Sequence, residues 1–218
     1  FDEYYGEWEL RRKRPTGLRV GPDGKPIFPS KPAAWSPELE DDQKILWLLQ
    51  EIRDLDRSEN AKYTAASYYR QAMLARTRFG MDRLNEYAGM YWVGNRFPLQ
   101  EDLKTFEPWT LADNEAITLV GGQVTRVERP AQWDVFGLLR IVVGDYAQSG
   151  MAPEAQYAVG LYHQSRQQYL EALGEYATLK KGWPTSKWAA NANTQIERIQ
   201  RPQVHLNQTG VQLANQPA

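Results

Sequence analysis

Residues 153–200 read PEAQYAVGLYHQSRQQYLEALGEYATLKKGWPTSKWAANANTQIERIQ, and this stretch decides the fold. Pro153 sits where the first turn of a helix tolerates proline, because its missing N–H would be unpaired there in any case. Tyr157, Gly160 and Leu161 follow at helical spacing, then Ala172, Tyr176 and Leu179, and Pro184 ends the second run. Thr185 or Ser186 can cap the helix that follows. The stretch predicts two helices joined by a turn, plus the first helix of another unit.

The same residues carry a resemblance. Gly160, then Ala172 and Tyr176 four apart, then Pro184 match the later half of the tetratricopeptide signature, G-x2-Y…A-x3-F…P. Gln156 stands at the usual Trp position and His163 at the usual Tyr position, so the match is partial. The stretch resembles a tetratricopeptide repeat of the bacterial envelope type. That resemblance implies a stack of helix pairs whose first helices line a concave face. In this unit it places Glu154, Tyr157, Leu161 and Gln164 on that face as protein-binding residues, with Tyr157 partly exposed. Tyr157 and Leu161 do not supply the cationic and amide groups of a carboxylate clamp, so the expected partner is a protein surface of mixed polarity.

Working outward, the preceding helix opens at Pro130, presents Trp133, Phe136, Leu139, Val143 and Tyr146 inward, and closes at Gly150. Further upstream, Ser36-Pro37-Glu38 predicts a helix start, with Ile45, Leu48, Leu49, Ile52 and Leu55 as its buried face. A helix over about 59–79 follows, with Ala65, Ala66, Tyr69, Ala72 and Met73 inward. Ile52, Ala65, Tyr69 and Ala72 fit the repeat register in degenerate form. A third helix is predicted over about 82–93, carrying Leu84, Tyr87, Ala88, Tyr91 and Trp92.

Residues 94–129 interrupt the rhythm. Asn95-Arg96-Phe97-Pro98 is a loop. Thr110 and Asp113 suggest a capping box, residues 111–120 a short helix stopped by Gly121-Gly122, and residues 123–128 a short strand. At the N-terminus, residues 1–14 run from acidic to basic as a short helix would. Residues 18–28 form a hairpin about Gly21-Pro22-Asp23-Gly24. Pro26, Pro29 and Pro32 then make an extended connector. After Arg201 the apolar period becomes two, with Val204, Leu206, Val211 and Leu213, which predicts β structure.

The expected domains are therefore an N-terminal extension with a hairpin (1–35), a helical domain (36–200, with the irregular insertion 94–129) and a C-terminal extended segment or start of a β-domain (201–218). The fold class is all-α: an α-solenoid of antiparallel helix pairs. Residues 111–117, the strand carrying Val124 and Val127, and a repeat pair before a β segment resemble the N-terminal region of planctomycete-type alpha-2-macroglobulin-family proteins. The resemblance covers roughly residues 40–218. It implies a downstream β-domain of the same polypeptide and a periplasmic or cell-envelope location. The chemistry of that family lies in a C-x-E-Q thioester, and this chain has no cysteine, so no family activity transfers to any residue here.

Composition narrows the function. The 26 Lys+Arg balance 27 Asp+Glu, which gives no electrostatic drive toward nucleic acid. No segment has the apolar length to span a bilayer. Without cysteine there is neither a thiolate metal site nor a thiol nucleophile. His163 and His205 have no metal-ligand spacing, and no P-loop, dinucleotide fingerprint or G-x-S-x-G motif occurs. No cofactor, metal or catalytic residue is expected. The chain starts at Phe1 without a signal-peptide core, which suggests a processed chain or a fragment. The eight Trp and twelve Tyr are of the kind enriched at interfaces. The expected function is a non-catalytic protein–protein interaction or scaffold module of a bacterial cell-envelope protein. The alternative is an α/α-toroid enzyme on carbohydrate, with Asp41-Asp42 or Asp54-Asp56 as its acid–base pair.

Overall fold

The computed structural model describes residues 18–79, 107–121 and 123–201. Six α-helices lie among them: α1 (Asp41–Leu55), α2 (Lys62–Phe79), α3 (Val135–Asp145), α4 (Ala152–Ser165), α5 (Tyr169–Gly182) and α6 (Lys187–Gln200). Two antiparallel strand pairs accompany them, β1 (Arg19–Val20) with β2 (Pro26–Ile27) and β3 (Glu115–Val120) with β4 (Gln123–Glu128). Each helix packs on its successor, and α6 also reaches back to α4. The chain is thus mostly helical. The predicted helices over 1–14 and 82–93, the loop at Asn95–Pro98 and the β segment after Arg201 lie outside the described residues.

The start of α1 departs from expectation. Ser36 caps only a turn, accepting from the Glu38 N–H at 3.2 Å. The helix begins at Asp41, because Glu40 and Gln43 form a reciprocal capping box and Asp41 and Asp42 then suit the positive end of the helix. Its buried face is rotated as well. Leu46 and Leu49 are buried, whereas Leu48, Ile52 and Leu55 are 48%, 42% and 71% exposed. The cause lies on α2. Arg53 donates to Ser67 Oγ at 2.8 Å, bonds Gln71 and lies 3.8 Å over the Tyr68 ring. These polar partners draw the Arg53 side of α1 inward, and hydrophobic periodicity does not register them.

Asp56 shapes the turn from α1 to α2. Its carboxylate accepts from the Ser58 N–H at 2.8 Å and the Thr64 N–H at 2.7 Å. Hydrogen bonding from Ser58, then from Thr64, holds its pKa well below the usual aspartate value. A depressed folded pKa stabilises the fold above the unfolded value near 4 and loses that contribution as pH falls through the folded value. Asp56→Asn should therefore lower stability at neutral pH. The gap between the two proteins should narrow as unfolding is followed from pH 5 downward. A gap independent of pH would remove the cap assignment.

The main core sits where α2, α3 and α4 meet. Ala65, Ala72 and Ala75 are fully buried on α2, which lets α3 approach closely. Helix α3 opens one turn later than Pro130 suggests. Residues 131–133 form a 3₁₀ turn, and Asp134 caps the helix by accepting from the Phe136 N–H. Trp133 is fully buried, packs edge-on to Phe79 at 4.7 Å and donates its indole N–H to Pro29 O at 2.8 Å. The proline connector is thereby tied to the core.

The stretch 111–120 is not a helix. Glu115 to Val120 form β3, which pairs with β4 in register from Glu115↔Glu128 to Val120↔Gln123. Val120 pairs with Gln123, so only two glycines of the sequence separate the strands, and Gly121 has φ 56°. A two-glycine loop suits a tight hairpin, whose turn needs positive φ. Leu18 bridges Val120 in parallel, and its carbonyl accepts from Gly121 N–H at 3.1 Å. The N-terminal hairpin forms as predicted, turning at Gly21-Pro22-Asp23-Gly24 with the Gly24 N–H on Gly21 O at 3.0 Å.

Helices α4, α5 and α6 share a second core of Tyr157, Ala172, Tyr176, Leu179 and Ala192. Gly160 lets the Tyr176 ring lie against the backbone of α4, where any Cβ would overlap the ring. Ser186 caps α6, accepting from the Ala189 N–H at 3.1 Å.

Candidate interaction surfaces

The four residues predicted to bind protein sit on α4, and most of their polar atoms are spent inside the stack. Glu154 lies near the Tyr69 phenol on α2, whose pKa is raised first by burial and then by the neighbouring Glu154 charge. Tyr157 is only 8% exposed, with Tyr176 at 5.8 Å and Trp188 at 5.1 Å from its ring. Its predicted partial exposure is corrected here: α6 folds back onto α4 and covers it. Leu161 packs half-buried against the same cluster. Gln164 accepts from Tyr176 Oη at 2.7 Å and donates to Gln195 Oε1 at 3.2 Å, and Gln195 in turn donates to Tyr157 Oη at 3.3 Å. Tyr157 and Gln164 are thus brought together as a seam joining α4, α5 and α6. Glu154 lies apart, toward α2.

Gln156 and His163, which depart from the repeat signature, are both buried. Gln156 donates to Glu175 Oε2 at 2.6 Å, and His163 Nδ1 pairs with Gln168 Oε1 at 2.8 Å. Each replaces an aromatic packing residue with a hydrogen-bonded one.

Sequence reasoning missed the buried arginines. Arg166 donates to Ala112 O at 3.0 Å, Glu115 O at 2.6 Å and Tyr162 Oη at 2.8 Å. Arg129 donates to the same hydroxyl at 2.9 Å and to Asp113 O and Glu115 O at 3.3 Å. Both side chains are at most 3% exposed. They clamp the start of β3 to the end of α4. No local sequence signal distinguishes them from surface arginines.

The carboxylate pairs weighed for acid–base chemistry are engaged singly. Asp42 pairs with Arg78 at 3.3 Å, and burial raises its pKa. Asp54 accepts from Gln50 at 2.9 Å, and Asp56 caps its turn. Among the described residues, no group of three or more His, Cys, Asp or Glu could hold a metal ion, and no helix is long and apolar enough to cross a membrane.

Open apolar surface lies instead at the α4–α5 turn. Trp109, Tyr169 and Leu170 are exposed, Leu170 at 82%. Gln168 joins them by donating to Leu111 O at 2.8 Å, with a longer contact to Trp109 O at 3.4 Å. Beside them runs a groove of about 480 Å³ lined by Gln164, Tyr169, Arg198, Ile199 and Arg201. Of the predicted residues, Gln164 alone reaches it. Comparison with family models, curated proteins and solved structures finds no match to this chain.

Proposed function

We propose that the chain is a non-catalytic protein–protein interaction module, a tetratricopeptide-like stack of helix pairs. The observation that carries this reading is the packing of α4 against both α5 and α6, with Gly160 against Tyr176 at the pair's crossing. That is the contact pattern expected when the first helix of one pair touches its own partner and the first helix of the next. The placement in a bacterial envelope protein, ahead of a macroglobulin-like β-domain, rests on sequence resemblance alone.

The binding surface is assigned to the α4–α5 turn and its groove. Tyr169, Leu170 and Trp109 supply apolar anchors, Arg198 and Arg201 supply cations, and Gln164 supplies an amide. This combination fits a protein segment with aromatic or aliphatic anchors flanked by acidic residues, since buried anchors carry most of the energy at interfaces.

The combined variant Tyr169→Ala, Leu170→Ala should leave the fold intact, each change shifting stability by roughly 0.5 kcal/mol or less because both side chains are exposed. Recovery of the partner in a pull-down should fall by about tenfold or more. Unchanged recovery would reject this surface. Hydrolysis of polysaccharide by purified protein would replace the module reading with the enzyme one.

A further inference from the structure

We propose that the exposed apolar stripe of α1 is a docking surface for the chain's own residues 1–17. The stripe is Leu48, Ile52 and Leu55, spaced i, i+4, i+7 along one side of the helix and open to solvent. Three exposed aliphatic side chains in line on one helix require a cover or a partner more than scattered ones do. The inference concerns a different face from the α4–α5 turn and stands independently of it.

Charge and reach single out the occupant. Residues 1–17 join the described structure at Leu18, and Arg19 bonds the Glu40 carboxylate at the start of α1 with its Nη2 at 2.7 Å. The junction therefore lies within an arginine's length of α1. From Leu18 back to Trp8 the chain spans up to roughly 33 Å when extended. Helix α1, with 15 residues, is about 22 Å long. Every part of the stripe is within reach.

The order of residues also matches. Nearest the junction come Arg11, Arg12, Lys13 and Arg14, and beyond them Trp8, Tyr5, Tyr4 and Phe1. Along α1 the order is acidic, then apolar. Glu38, Glu40 and Asp41 are exposed at its start, and neither Glu38 nor Asp41 has an ion-pair partner among the described residues. The stripe follows. Laying the segment along the helix puts the four cations over the acids and the aromatics over Leu48, Ile52 and Leu55. Four aromatics, Phe1, Tyr4, Tyr5 and Trp8, fall within eight positions of the sequence, enough apolar area to match the three aliphatics of the stripe. A second copy of α1 would instead bring like charges at the helix start to a stripe without cations of matching number, which makes the chain's own segment the better complement.

Because the chain has no cysteine, engineered thiol pairs test this directly in the full-length protein. Glu9→Cys with Glu51→Cys places thiols beside the aromatic run and beside the stripe while sparing both. Glu9→Cys with Asn193→Cys on the exposed side of α6 is the control. At low micromolar protein under mild oxidation, the first pair should close an intramolecular disulfide at least tenfold faster than the control. Adding Ile52→Asp, or Glu38→Lys with Asp41→Lys, should slow it severalfold, with helical circular dichroism unchanged because these positions lie at the surface. Equal rates for the two pairs, or insensitivity to both sets of added changes, would overturn the proposal. Disulfide-linked dimers as the main product would overturn it in favour of a second copy on the stripe.

Discussion

Ala172→Arg is expected to destabilise the protein by at least about 3 kcal/mol, since overpacking a core costs roughly 1–3 kcal/mol and a buried unpaired charge adds to that. Ala172 is fully buried among Tyr157, Tyr176, Leu179 and Ala192, at the point where α4, α5 and α6 share a core. Neighbouring positions leave no slack. Tyr176 already lies against the bare backbone at Gly160, and Tyr157 is held between Tyr176 and Trp188. A guanidinium entering this cluster must displace rings that also carry the Tyr176–Gln164–Gln195–Tyr157 hydrogen-bonded seam. The unfolding midpoint in urea should fall accordingly, read by far-ultraviolet circular dichroism. A midpoint unchanged from the parent would show that α5 does not turn Ala172 toward its neighbours.

The same three helices show what the sequence made legible. Pro153, Gly160, Ala172, Tyr176 and Pro184 each follow from local backbone or packing requirements, so the α4–α5 pair and its turn to α6 are found within a residue or two. The exposure of Tyr157 was not legible, because it depends on α6 folding back across α4, a contact between elements far apart in the chain. The rotated face of α1 fails for a related reason. Leu48, Ile52 and Leu55 form a correct apolar stripe, but Arg53 has polar partners on α2 and wins the inward position. At residues 111–120, a capping-box pattern outweighed Gly121-Gly122. The two-residue glycine loop was the stronger signal, since the strands on either side need only pair across it. The surface around Trp109, Tyr169 and Leu170 had no sequence signature at all: it arises where a loop from before β3 meets the α4–α5 turn.

Arg166 makes three of the hydrogen bonds at that meeting, and Arg166→Ala is expected to cost about 3–5 kcal/mol. Three hydrogen bonds from a charged donor are lost, each contributing roughly 1.5–3 kcal/mol net, and a cavity replaces a buried side chain. The guanidinium lies 4.3 Å over the Tyr162 ring and 5.0 Å from the Phe136 ring while it holds Ala112 O and Glu115 O. The loss is less than the sum of its bonds because Arg129 still reaches Glu115 O and the Tyr162 hydroxyl. Lysine should restore less than half, since one ammonium cannot reproduce the planar fork that spans two carbonyls and a hydroxyl. The effect should be uneven. Amide hydrogen exchange should quicken in β3 and β4 more than in α5, because Arg166 binds the hairpin and α5 keeps its own core. Gln168, two residues on, fixes the loop at Leu111 and Trp109. Arg166→Lys should therefore also weaken partner recovery at temperatures where the variant remains folded. A stability change below about 1 kcal/mol, or exchange that quickens equally in every helix, would show that the hairpin is held by something other than this clamp.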